Sequence, residues 1–200
     1  MLQGAIIQEK INRNVEIVKS IGSFYAASHK VERSEFRAFV ARPLSQHPGI
    51  QALEWLPRVP HEERSAYEEA ARLDGLEGFR ITERQKQGVM VPAQDRDEYF
   101  PVYYVQPIEG NEAAVGFDLA SITARLARLH RSRDNGKMGA TERITLVQEK
   151  GGQFGFLIYS PVYRTSMPHG TIEERRVNLR VRARGLPHWR LLRTSLAWSA

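Results

Sequence analysis

The 200-residue chain has no cysteine, which excludes disulfides and thiolate-bound metal but fixes no compartment, since oxidising compartments also hold cysteine-free domains. It has no apolar run of the roughly 18 residues that a spanning helix needs, and its start lacks the charged-then-apolar pattern of a cleaved leader. Neither a membrane span nor a signal peptide is expected in this stretch. Catalytic signatures are missing too: there is no G-x-S-x-G elbow, H-E-x-x-H pair, phosphate loop or dinucleotide fingerprint. The six histidines fall singly, with no i, i+4 or H-x-H spacing to hold a metal. These absences predict a chain that is not itself an enzyme and carries neither metal nor cofactor.

Negative charge is absent from the last twenty residues, which hold Arg182, Arg184, Arg190 and Arg193. The formal charge of +6 would suggest a polyanionic partner. Without that tail the 29 basic residues become 25 against 23 acidic ones, or +2, so nucleic acid is not expected as a partner.

What is present is 42% hydrophobic content, enough for one compact domain with an appendage. From Leu2 to about Ala27 the pattern is helical, with Ile7, Ile11, Asn14, Val18, Ile21 and Tyr25 spaced as in a heptad seam. Such a seam fits either a parallel homodimer or a helix packed on its own domain. A short helix is predicted from Ser34 to Ala41, ended by Pro43, and a strand from Ile50 to Leu56. A helix follows from after Pro60 to Gly75, with Tyr67, Ala70, Ala71 and Leu73 as its buried side. Strands are expected at Phe79 to Thr82, Val89 to Val91 and Tyr99 to Gln106. Another helix, capped by Ser121, closes at Asn135-Gly136. Strands Ile144 to Gln148 and Phe154 to Val162 flank a Gly151-Gly152 turn. This order predicts an α+β domain whose mainly antiparallel sheet has helices on one face.

Several polar clusters read as structure. His61-Glu62-Glu63 suits the first turn of a helix, where negative charge meets the dipole. Asp95, Asp97 and Glu98 match no calcium-loop spacing and read as a solvated turn. RDEYFPVYYVQP, residues 96 to 107, is less ordinary, because it carries tyrosines and a glutamine where aliphatics would pack better. Strict alternation puts Phe100, Val102, Tyr104 and Gln106 on one face and Tyr103 and Val105 on the other. With Phe154, Phe156, Tyr159, Tyr163 and Gln148, these residues fit either a sheet edge with wet hydroxyls or the wall of a half-apolar pocket for a small planar ligand.

The ordered set GIQALEWLPRV, FRITER, VPAQDRDEYFPVYYVQP, GFDL, RDNG and GFLIYSPVY resembles the CHASE domain, an extracytoplasmic sensor module of transmembrane receptors, from roughly Phe36 to Asn178. The resemblance implies a PAS-like fold on a long N-terminal helix and a periplasmic or extracellular location. It also implies homodimerisation through that helix, and signalling to a cytoplasmic histidine kinase or nucleotide cyclase. Membrane contact would come only through flanking segments outside this chain. The division it implies is a stalk helix over residues 1–33, a sensor domain over 34–180 and a separate tail over 181–200. An unknown small molecule is the expected ligand, with Tyr104, Gln106, Thr145, Phe156 and Tyr159 as its candidate contacts and Arg96 and Asp118 as structural residues. Plant members of the family hold cytokinins through an aspartate directly after the glutamine of the FPVYYVQ strand. Here that position is Pro107, and a second polar contact, a threonine, falls near Tyr159. A dimerisation module without sensing is the alternative.

From Val181 the chain departs from the family's final strand. One choice of codons for Val181 to Leu191, read one base later, translates as Phe-Val-Leu-Gly-Val-Phe-Arg-Ile-Gly-Asp, a strand of the family's type. A frameshift near Arg180 is the expected origin of the tail, leaving an unpaired sheet edge, marginal stability or a non-functional gene fragment. Sequencing of the locus is expected to show that strand, and an effector domain after it, continuing in another frame. An intact gene with no such continuation overturns the frameshift.

Overall fold

The computed structural model describes residues 2–28, 30–85, 88–142, 155–179 and 189–195. Helix α1 spans Leu2–Ala27, and its apolar positions Ile17, Val18, Ile21 and Tyr25 are all buried in the chain's own core. Tyr25 stacks on Trp55 with ring centroids 3.2 Å apart and planes 2° from parallel. The seam positions Val18, Ile21 and Tyr25 are thus used within the protomer, and over this stretch the helix is an amphipathic one packed on its own domain. Apolar side chains repeating every three to four residues bury against whatever apolar surface is nearest, and here that surface is a sheet.

That sheet has strand order β6-β1-β9-β8-β7, with β1 at Ile50–Leu56, β6 at Tyr104–Gln106, β7 at Gly139–Ala140, β8 at Gly155–Pro161 and β9 at Trp189–Ser195. All its pairings are antiparallel, and the fold is α+β. The backbone of residues 189–195 runs between β1 and β8 and pairs with both, a slot that the sequence reading left open as an unpaired edge.

Helices cover both faces of the sheet, a correction to the expected one. On the first face α1, α2 (Arg33–Gln46) and Ala71 of α3 (Arg64–Leu73) share one core with Leu53, Trp55 and Ile158. On the second, Leu129 of α4 (Thr123–Asn135) joins Ala52, Leu56, Leu157 and Tyr159. The cause is in β1, buried at six of its seven positions, because a strand with apolar residues in both alternating sets needs cover on both sides. Helix α5 (Ile172–Asn178) docks on α4, with Arg176 Nη2 2.7 Å from Asp134 Oδ2.

The structure revises several boundaries. Helix α2 runs through Pro43 for another turn, with the His47 N–H donating to the Pro43 carbonyl at 3.1 Å. Of the residues expected on the buried side of α3, Ala71 is buried, Tyr67 half-buried and Ala70 exposed, while Leu73 is 82% exposed. Strand β3 (Thr82–Arg84) pairs with β4 (Met90–Pro92), starting where the predicted strand was to end. Ser121 ends a 3₁₀ turn before α4, and Ile122 takes the cap position. The expected strand Tyr99 to Gln106 is split into β5 (Glu98–Tyr99), paired with β2 (Val59–Pro60), and β6. The predicted Ile144 to Gln148 strand and the Gly151-Gly152 turn lie outside the described residues.

Glu98 braces these pieces. Its carboxylate pairs with Arg58, lies 2.7 Å from His130 Nε2 and faces Arg133 Nη1 at 3.6 Å. Burial opposes its ionisation, but hydrogen bonds from His130 and Arg58 hold its pKa down from 4.5 to about 2. A depressed carboxylate pKa gives stability that is full above the unfolded value and is lost as pH falls through the folded one. At about 1.4 kcal/mol per unit this is about 3 kcal/mol, lost between about pH 4.5 and 2. Glu98→Gln is expected to lower urea-derived stability by about that amount at pH 7, with the gap to the native chain closing by pH 2. A gap that persists unchanged at pH 2 would contradict this assignment.

Candidate functional site

The site is built by a change of partner within residues 100–104. The buried Asp118 carboxylate accepts the N–H of Phe100 at 2.7 Å and of Ala120 at 2.9 Å, and pairs with Arg96, which also holds Glu83. One residue pair further, the Val102 N–H donates to the Phe117 carbonyl at 3.1 Å, and the Val102 carbonyl accepts from Gly116 at 2.8 Å. Gly116 has φ +79°, and a Cβ there would collide with the Arg80 carbonyl, so only glycine fits. Phe100 and Val102 therefore point into the second core.

At the next residue the chain turns to β1: the Tyr103 N–H donates to the Trp55 carbonyl at 2.9 Å, and Tyr104 opposite Trp55 opens β6. Across this switch Tyr103 and Tyr104 both emerge on the first-core side, with ring centroids 4.6 Å apart. Strict alternation had placed them on opposite faces. It does not survive a change of hydrogen-bonding partner between the two segments. Arg96 and Asp118 brace the approach to this switch through their ion pair.

Strand β6 is an edge strand, and above it lies a pocket of about 720 Å³, within the range usual for small-molecule sites. Helix α2 contributes Arg33, Ser34, Arg37, Ala38 and Ala41; β6 and its approach contribute Tyr103, Tyr104, Val105 and Gln106; Ile108 and Val115 close the far side. Asp74, just past α3, is the polar centre of one end. It accepts the Tyr103 hydroxyl at 3.1 Å and lies 3.5 Å from that of Tyr104 and 3.3 Å from Arg33 Nη2. The Arg33 guanidinium sits over both phenol rings, 5.2 Å from the Tyr104 centroid and 5.9 Å from that of Tyr103, a cation–π arrangement. The Tyr104 hydroxyl also lies 3.4 Å from the Val31 carbonyl in the link between α1 and α2. The Gln106 side chain is half-buried and, among the described residues, has no hydrogen-bond partner.

Of the predicted contacts, Tyr104 and Gln106 line this pocket together. Phe156 packs on the edge of the first core rather than in the pocket lining. Tyr159 lies in the second core, on the opposite face of the sheet, with its ring against Gly139. Thr145 lies outside the described residues. Arg33, Arg37 and Asp74 escaped the sequence reading because they look like the solvated side of one helix and the stop of another. The i, i+4 spacing of Arg33 and Arg37, beside the small residues Ser34, Ala38 and Ala41, was the available signal. A second hollow of about 400 Å³ beside α3 is lined by Arg64, Glu68, Arg72 and Arg80. There Arg64 already donates to the Ala93 carbonyl, and Arg72 to that of Phe79. No metal-holding group of side chains occurs among the described residues.

Burial, then the neighbouring phenol and Asp74, push Tyr103 well above its ordinary value. Burial and Asp74 do the same for Tyr104 against the opposing pull of Arg33. Both are hydrogen-bond donors at any physiological pH. Raised phenol pKa values give stability that is full below the unfolded value near 10 and is lost as pH rises above it. The folded chain is expected to lose stability from about pH 10 upward, with less slope after the paired changes Tyr103→Phe and Tyr104→Phe. Tyrosinate absorbance during an alkaline titration, compared with stability at each pH, checks this. An unchanged slope in the double variant counts against the assignment.

The CHASE domain family model matches residues 29–186. The chain is 24% identical over 188 residues to Histidine kinase 2 of Arabidopsis thaliana, covering 86% of this chain and 15% of that protein. It thus spans under a fifth of the length of the curated relative it matches. No helix among the described residues is long and apolar enough to cross a membrane. With most of its length matched, the chain belongs to the CHASE domain family, the extracytoplasmic sensory domains of receptor histidine kinases and cyclases.

Proposed function

We propose that this chain is the ligand-sensing part of a transmembrane receptor of histidine kinase or diguanylate cyclase type. It binds a small molecule outside the cytoplasm and passes occupancy to an effector encoded elsewhere in the full protein. The observation that carries the reading is the pocket over β6, where Tyr104 and Gln106 meet α2. A buried tyrosine pair, a half-buried amide and apolar walls are what a small ligand needs for orientation and burial.

Transmission requires two arrangements that the ligand binds unequally. The pocket reaches the stalk helix through Trp55, which lies outside its lining. Trp55 stacks on Tyr25 of α1, and its carbonyl accepts the Tyr103 N–H. Dimerisation, on this reading, uses α1 before Asn14, because Val18, Ile21 and Tyr25 are taken up by the chain's own core. The domain division at residues 33 and 180 belongs to the same proposal. Pro107 stands where the plant receptors have their aspartate, so the ligand class is not inherited from them.

A thermal-shift screen against purines, amino acids and small carboxylates is expected to find a stabilising ligand whose shift shrinks in Gln106→Ala and Tyr104→Phe. No stabilising compound, together with unaltered receptor output after Gln106→Ala in the full-length protein, would rule the pocket out and favour a module that only dimerises.

A further inference from the structure

The charges around the pocket narrow what it takes, provided that the pocket is the ligand site proposed above. Glu32 lies 3.3 Å from Lys30, and Asp74 is shared by Arg33 and the tyrosine pair. Arg37, one helical turn beyond Arg33 on α2, lines the same pocket, and its exposed guanidinium has no counter-ion or hydrogen-bond partner among the described residues. Next to it the walls become apolar, with Ala38 and Ala41 on α2 facing Val105, Ile108 and Val115. Gln106 adds one amide that can donate or accept.

We infer that the pocket binds a small organic acid, with the carboxylate on Arg37 and the apolar body between α2 and β6. A guanidinium presents its N–H groups as a fork that matches a carboxylate's two oxygens, whereas a neutral ligand would leave that fork unanswered. At the pocket rim such a pair is screened by water and is modest in strength. The apolar walls must therefore supply most of the affinity, which excludes a bare inorganic anion. At the tyrosine and Asp74 end Arg33 and the phenol donors are already taken by Asp74, so the acid's carboxylate turns to Arg37.

The experiment is titration calorimetry of the chain with phenylacetate and hexanoate against their neutral amides, in low and high salt, for the native chain, Arg37→Gln, Arg37→Lys and Gln106→Ala. The acids are expected to bind about tenfold tighter than the amides, and to weaken with salt. Arg37→Gln should erase that difference, and Arg37→Lys should keep part of it. Arg37 is exposed and holds no other described group, so its replacement leaves the fold in place. Amides binding as well as acids, or Arg37→Gln binding acids like the native chain, overturns the inference. If that neutral binding still depends on Gln106, the pocket stands as the sensing site and only the acid class falls. Absence of binding by every probe also overturns the inference.

Discussion

One buried carboxylate decides where the pocket is. Asp118 is wholly out of water, and it collects two backbone N–H groups and the Arg96 guanidinium. A buried acceptor must be satisfied in full or it costs several kcal/mol, so the residues that serve it are held firmly. Because Phe100 is one of them, residues 100–102 lie against 116–119 and cannot continue along β1. The chain joins the sheet only at Tyr103. Both tyrosines then face α2, and β6 is left short and at the edge. Had the strand run straight from Tyr99, one of the two rings would lie in the opposite core, and the polar end of the pocket would lose one of its two phenol hydroxyls.

What could be read from the sequence was whatever depends on neighbours in the chain. The bounds of α1, the limits of β1 and the end of α4 at Gly136 follow from periodicity, apolar runs and a left-handed cap. What could not be read depends on partners distant in sequence. Alternation presumes one partner along a whole strand, and it failed at Tyr103 where the partner changes. The expectation for Tyr159 rests on an aromatic in a strand, near the family's threonine contact. Leu157 and Tyr159 share the face that packs on α4, while Phe156 and Ile158 look towards α1. Asp74 carried a correct local meaning, the end of α3, and a second one that only the approach of Tyr103 and Arg33 reveals.

Trp55 links the pocket floor to α1. Its ring is covered by Tyr25, its carbonyl takes the Tyr103 N–H, and it sits opposite Tyr104 in the β1–β6 ladder. Displacement of β6 by a ligand cannot leave this residue unaffected, because closely packed interiors shift as units. Thr165 adds a tie on the far side of the helix end by donating to the Ala26 carbonyl.

The Tyr104 hydroxyl has two acceptors within reach, the Val31 carbonyl at 3.4 Å and Asp74 Oδ2 at 3.5 Å, and neither contact is short. A phenol has one proton to give. It can serve the link between α1 and α2 or the polar end of the pocket, but not both at full strength. Whatever satisfies Asp74 from another side would thus leave the Tyr104 proton to Val31, so the polar end of the cavity and the link between the helices draw on one donor.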